Sequence, residues 1–269
     1  MNWLKNSHAR TMWLAGHGLT FALLLSYGCS SGGGNSGTTP TTPPAQTRSY
    51  GASLPTKQEV DNRVQAITPF GAGAGASLPA SIDYSTDPSM PIPGDQGAQS
   101  SCVAWAAGYD MMTFMIGKAK GMDASAPNNQ GSPSDLYTKV LQVSNRPCNS
   151  YTDPATAMDV LVKYGVANMS QSPYISSGCA APSSSGAFGI TGYHTLQPAN
   201  ATAIKRQLAS GNVLPFVAKV YDDLQYWGFY GDRRGVYHGS GNLMPNVGHA
   251  MTLVGYQADK GGGRAGIGG

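Results

Sequence analysis

Cys102 and His249 are the side chains whose types and settings best suit covalent chemistry in this 269-residue chain. Cys102 follows a loop rich in Gly and Gln, GDQGAQSS over Gly94–Ser101. It opens a run from Val103 to Ile116 in which nearly every position is apolar and Asp110 is the one charge. A helix apolar on all faces suits only burial on every side, so the pattern predicts a buried central helix. Ser100 or Ser101 is expected to cap it, because a hydroxyl there accepts from the first free backbone N–H groups. Cys102 then sits at the positive end of the helix dipole, where a thiolate is favoured. Lowering a thiol pKa from about 8.5 to about 3.5 takes roughly 7 kcal/mol, and a helix terminus supplies at most about 2 kcal/mol. A cationic partner must supply the rest. His249 in Gly248–Tyr256 (GHAMTLVGY) is the candidate. Against these roles stand a small buried core cysteine and a strand histidine bonded within the core.

At these residues the chain resembles the papain-like cysteine peptidases. Asp95-Gln96-Gly97, Ser101-Cys102 and Ala104 are similar to that family's D-Q-G-x-C-G-S-C-W-A-F, and Gly248–Tyr256 to its N-H-A-V-x-x-V-G-Y. Leu78–Tyr84 resembles the mature start L-P-x-x-x-D-W, Ser132–Leu136 the helix start S-E-Q-x-L, and Gly235-Val236-Tyr237 the G-I-Y. His249 lies 147 residues beyond Cys102, within the roughly 130–150 that papain-type enzymes leave. The resemblance implies an α+β, papain-like two-lobed fold: a helical lobe built on the nucleophile helix, packed against a β-barrel-like lobe.

The same resemblance assigns roles. Cys102 is the expected nucleophile, attacking a peptide carbonyl as a thiolate. His249 is the expected general base and then general acid to the leaving amine. Gln96 and the Cys102 backbone N–H form the expected oxyanion hole, a donor there being worth about 3–4 kcal/mol; a surface loop amide is the plainer reading of Gln96. Peptide or protein is the implied substrate, with no cofactor and no metal.

The chain departs from the family pattern in three places. Gln99 and Val103 stand where the family has a cysteine and a tryptophan; the first removes a disulfide, and Trp105 is expected to replace part of the lost aromatic. After Tyr256 the chain reads Gln257-Ala258-Asp259-Lys260 and ends in glycine-rich sequence without the family's N-S-W-G. The second lobe is therefore expected to lack its last strands, as in a truncated member. The Asn that orients the histidine goes with them. Asn242, Asn246 and Asp259 are the candidate substitutes, and loss of the orienting group slows such a site without abolishing its chemistry.

Around this centre the chain divides into five stretches. Residues 1–29 read as a signal peptide: Lys5 and Arg10 precede the apolar run Met12–Leu25, which is short of the roughly 18 residues of a spanning helix. They also resemble a bacterial lipoprotein signal with Cys29 as the lipidated residue, ordinary cleavage and an uncleaved anchor being the alternatives. Residues 30–49 are a Gly/Ser/Thr/Pro tether, expected to be disordered. Residues 50–77 form a short pro or linker segment, with a helix expected within Leu54–Ile67 from the capping-box spacing of Thr56 and Glu59.

Residues 78–190 are the helical lobe, with further helices from Ser132 or Ser134 through Leu141 and over Pro154–Tyr164, the latter capped by Asp153 and stopped by Gly165. Residues 191–269 are the β-rich lobe, with a helix over Ala201–Ala209 and strands over Val213–Val220 and His249–Tyr256. Cys148 and Cys179 remain as a pair that an oxidising compartment would join. The family commonly has a disulfide at about these places, and two free thiols are the alternative.

A net charge of +3 with no basic cluster gives nucleic acid no footing. With 41% hydrophobic content the chain can bury one domain's core. The expected protein is an exported monomer, secreted or lipid-anchored at a bacterial cell envelope, and it meets a membrane only through that anchor. A non-catalytic homologue that binds peptides or surface protein in its cleft is the alternative function. Another Cys–His acyl-transfer enzyme, such as a transglutaminase or cell-wall amidase, and a purely structural lipoprotein explain less of the spacing.

Overall fold

The computed structural model describes residues 10–13, 49–63, 77–183, 186–224, 237, 239 and 241–257. Cys29, Gly235, Val236, Asp259 and most of the expected signal and tether lie outside the described residues.

The central helix runs from Cys102 to Lys120 and is buried along most of its length. Its middle, Trp105–Met111, is wound as a π-helix, the form in which one extra residue is accommodated and which is frequent at functional sites. Apolar periodicity does not register this change of winding. Gly121, at φ 63°, ends the helix in the left-handed conformation.

Two helices pack against it. Pro133–Val143 is capped by Ser132, whose Oγ accepts the Asp135 N–H at 3.1 Å. Pro154–Lys163 is capped by Asp153, which accepts the Thr156 N–H at 2.8 Å. Gly108 permits the close approach of the first: a Cβ there would press into Leu136 at 2.8 Å. Met111, Phe114, Leu136, Met158 and Leu161 fill the space between the three helices. Asp135 is fully buried and paired with Lys139 at 2.7 Å. Its oxygens also accept from the N–H groups of Ala167 and Ser183, so the buried charge is compensated rather than stranded. Cys148 and Cys179 are joined, with Cα atoms 5.8 Å apart.

The second half pairs Leu214–Tyr221 antiparallel with Leu243–Leu253. Side chains alternate across such a ladder. Val213, Val217, Ala250 and Val254 therefore meet the central-helix core, while Leu214, Phe216 and Leu253 meet Leu208 of the Ala201–Ala209 helix on the other face. Ser81–Asp83 pairs antiparallel with Gly255–Gln257, and Gly192–Thr195 pairs parallel with Arg10–Trp13. The expected barrel-like lobe takes this simpler form: among the described residues the strands make three two-stranded sheets and no closed barrel. The expected Val213–Val220 and His249–Tyr256 strands are present with shifted ends, the second starting six residues earlier.

The short helix of the linker is also present, as Lys57–Arg63. Thr56 Oγ1 accepts the Glu59 N–H at 3.2 Å, and Glu59 Oε2 accepts the Thr56 N–H at 2.8 Å. This is the reciprocal capping box.

Candidate active site

Cys102 is the first residue of the central helix and is 1% exposed. Its Sγ accepts the Ala250 N–H at 3.4 Å. Two residues along the strand, Thr252 Oγ1 donates to Asp110 Oδ2 at 2.9 Å. Helix and strand are thus fastened at two points, and His249 lies beside the first.

The serines before Cys102 do not cap the helix. Ser101 Oγ pairs with Tyr174 Oη at 2.9 Å, Ser100 Oγ pairs with Ser49 Oγ at 2.9 Å, and Ser101 makes no side-chain cap bond. The hydroxyls are spent on tertiary partners, which propensity cannot foresee. Tyr174 also donates to the Gln96 carbonyl at 2.8 Å. Trp105 packs edge-on between Tyr109 and Tyr174, with ring centroids 4.8 and 4.7 Å away. It supplies the aromatic support expected of it.

The chief feature that sequence reasoning missed is a strap. Ser49–Ser53 passes directly over Cys102 and is held by main-chain bonds on both sides. The Ala52 N–H donates to the Gly248 carbonyl at 3.1 Å, and the Ser53 N–H to the Thr152 carbonyl at 2.9 Å. The Thr152 N–H donates to the Gly51 carbonyl at 2.8 Å. Gln96 Nε2 donates to the Ser49 carbonyl at 2.6 Å and to the Gln99 carbonyl at 3.0 Å. The Tyr50 ring stands edge-on to the His249 imidazole, centroids 5.5 Å apart. Gly51 is required by this path, because a Cβ there would overlap the Ser100 carbonyl. The small Gly51-Ala52 pair is the local signal that could have marked the strap.

Burial governs the electrostatics under the strap. It pushes the Cys102 thiol up to about 11, more than the N–H groups of Ala250, Gly51 and Val103 pull it down. Burial likewise pushes the His249 imidazole down to about 4. Part of that residue reaches the surface, but its Nδ1 is buried and makes no hydrogen bond. Under the strap, burial thus opposes charge on both the thiol and the imidazole, the direction against the expected thiolate–imidazolium pair. Asp110 is partly exposed as a residue, yet withdrawal of its carboxyl from water pushes it up to about 7 against the Thr252 hydroxyl.

Neither described candidate replaces the orienting Asn. Asn242 Nδ2 donates to Asp222 Oδ2 at 2.9 Å. Asn246 is exposed at φ 60°, and His249 Nδ1 is bonded to neither. No cluster of metal-ligating side chains occurs among the described residues, and no described helix is long and apolar enough to cross a membrane.

Compared with known proteins, residues 78–264 match the profile of the papain family cysteine proteases. The chain belongs to this family. Among solved structures, the papain-family chain is similar to xylellain, a cysteine protease from Xylella fastidiosa, at 22% identity and TM-score 0.59 over 80% of this chain and 83% of that one. It is also similar to the digestive procathepsin L2 proteinase of Tenebrio molitor larval midgut, at 22% identity and TM-score 0.60 over 81% and 68%. A third is the procathepsin B S9 of Trypanosoma congolense, at 19% identity and TM-score 0.55 over 79% and 72%. At these identities the likeness is one of fold. No curated protein matches the sequence. The α+β, papain-like fold expected from the motifs is the fold observed.

Proposed function

We propose that this papain-family chain is a cysteine peptidase held latent by its own strap. The observation that carries the reading is the peptide backbone already lodged at the site, with the Ser49 carbonyl on Gln96 and the Ala52 N–H on Gly248. A substrate peptide would take the same main-chain partners once the strap leaves. His249 would then accept the Cys102 thiol proton, and the sulfur would add to the carbonyl carbon. Gln96 Nε2–H and the Cys102 N–H would hold the oxyanion. His249 would return the proton to the leaving amine, and water would release the acyl group.

We place the protein in an exported setting, secreted or lipid-anchored through Cys29, in agreement with the Cys148–Cys179 disulfide, a bond that oxidising compartments sustain. A second reading, a catalytically impaired homologue that binds peptides, draws on the unpartnered His249 Nδ1.

The test is labelling of the full chain by an epoxysuccinyl inhibitor, in the wild type, in Gly51→Val and in Cys102→Ala. The latent-peptidase reading expects slow labelling in the wild type, fast labelling in Gly51→Val and none in Cys102→Ala. A folded Gly51→Val chain that cannot be labelled would overturn it and favour the impaired homologue.

A further inference from the structure

We propose that Gln99 is a positioning residue, which fastens the loop carrying Gln96 and Cys102 to the Cys148–Cys179 disulfide. Gln99 is 2% exposed. Its Nε2 donates to the Gly178 carbonyl at 2.6 Å, one residue before Cys179. Gly178 lies at φ 75°, a conformation that favours glycine and in which its carbonyl meets the Gln99 amide. One residue beyond Cys148, Asn149 at φ 69° accepts the Ser100 N–H on its Oδ1 at 3.2 Å. The disulfide therefore joins the two segments that grip consecutive residues of the loop, Gly178 taking Gln99 and Asn149 taking Ser100.

The main chain of Gln99 passes the constraint on. Its N–H donates to the Gln96 carbonyl at 3.3 Å, and its carbonyl accepts from the Ser101 N–H at 2.8 Å and from Gln96 Nε2 at 3.0 Å. The Gln99 carbonyl is thus a fixed acceptor for the Gln96 amide, and sets where that amide points when the strap is absent. The side-chain oxygen, Oε1, is buried without a partner. An unpaired buried acceptor costs free energy, and packing alone would be served as well by an apolar side chain of this size. What the amide adds is a directed bond to Gly178. In the family pattern this position is a cysteine, so here a hydrogen bond to the disulfide-bearing segment stands in place of a covalent tie.

The experiment uses the full chain and Gln99→Met, which keeps length and volume but removes the donor. Amide hydrogen exchange at Ser100 and Ser101 is expected to quicken about tenfold with the melting temperature unchanged, as for a local opening. A Cys148→Ala/Cys179→Ala chain is expected to show the same quickening, and adding Gln99→Met to it to change nothing more, because the two act on one contact. Unchanged exchange in Gln99→Met, or strictly additive effects, would overturn the proposal. A second arm rests on the peptidase reading: in the Gly51→Val background, Gln99→Met is expected to lower kcat about tenfold with KM within twofold. An equal fall through KM alone would assign Gln99 to substrate binding instead and overturn the proposal. Absence of any peptidase activity would count against the peptidase reading, while the exchange arm still decides the role of Gln99.

Discussion

The Cys102 sulfur accepts the backbone N–H of Ala250 at 3.4 Å, so the first residue of the central helix is fastened to the residue that follows His249. The contact explains how two side chains so far apart in sequence are brought to one place without a bond between them. It is made by main chain on one side, so it survives any change at His249. It also brings both groups under the strap, whose Tyr50 covers the imidazole while Gly51 faces the sulfur.

Removing the sulfur should separate chemistry from folding. Cys102→Ala is expected to abolish peptidase activity by at least about a thousandfold, as loss of a nucleophile does. The melting temperature should fall only modestly, because the Ala250 N–H loses its sulfur acceptor while the surrounding core is kept. Activity within tenfold of the parent would show that another residue carries the reaction.

Displacing the strap should have the opposite effect. In Gly51→Val the side chain meets the Ser100 carbonyl, a backbone neighbour that has no rotamer to yield. Limited proteolysis between residues 49 and 56 should become at least tenfold faster, following the population of the open strap. Resistance equal to that of the wild type would mean that the strap keeps its place.

Acid should loosen the strap. His249 is lowered to about 4 by burial, against about 6.5 in water, so the strapped state binds fewer protons than the open one. Its contribution is whole above about pH 6.5 and is lost as pH falls through about 4. Cys102, raised to about 11, keeps its contribution below about pH 8.5 and loses it as pH rises through 11. Exchange of the Ala52 and Ser53 amides, corrected for its intrinsic pH dependence, should therefore quicken below pH 6.5. In His249→Gln that acid limb should vanish, and its persistence would place the sensor elsewhere.

Asp110 should act with the reverse sign. Its carboxyl is raised to about 7, so its contribution is whole below about pH 3.9 and lost as pH rises through 7. Asp110→Asn retains an acceptor for Thr252 and cannot ionise. The variant should melt above the wild type at pH 8 and level with it at pH 4. A variant less stable at pH 8 would show that the ionised carboxylate is favoured there.

Opening the disulfide should cost stability as well as order. Cys148 and Cys179 are 31 residues apart, and a loop of that size corresponds to roughly 3–4 kcal/mol. Urea unfolding of Cys148→Ala/Cys179→Ala against the wild type measures it. A loss below about 1 kcal/mol would mean that the surrounding contacts hold the segment without the bond.

Much of this protein is written locally in its sequence. Asp153 and Ser132 announce helix starts because a short acceptor beside a proline serves the first free N–H groups, whatever lies beyond. Thr56 and Glu59 announce their capping box for the same reason. The unbroken apolar run after Cys102 requires a buried helix because no exposed face is offered, and the Gln96–Cys102 and Gly248–Tyr256 motifs name the family that residues 78–264 then match. The tertiary structure alone decided the rest. Ser100 and Ser101 gave up capping because Ser49 and Tyr174 arrive from elsewhere in the chain with better-placed hydroxyls. The π-helical turn at Trp105–Met111 lies where the helix meets the strand, a contact that apolar periodicity does not encode. The strap is held largely by backbone N–H and carbonyl groups, which every residue carries and no side-chain pattern reveals. The upward shift of the Cys102 thiol and the downward shift of the His249 imidazole follow from their burial, because a pKa is set by the solvent a group loses in the fold and not by its neighbours in sequence.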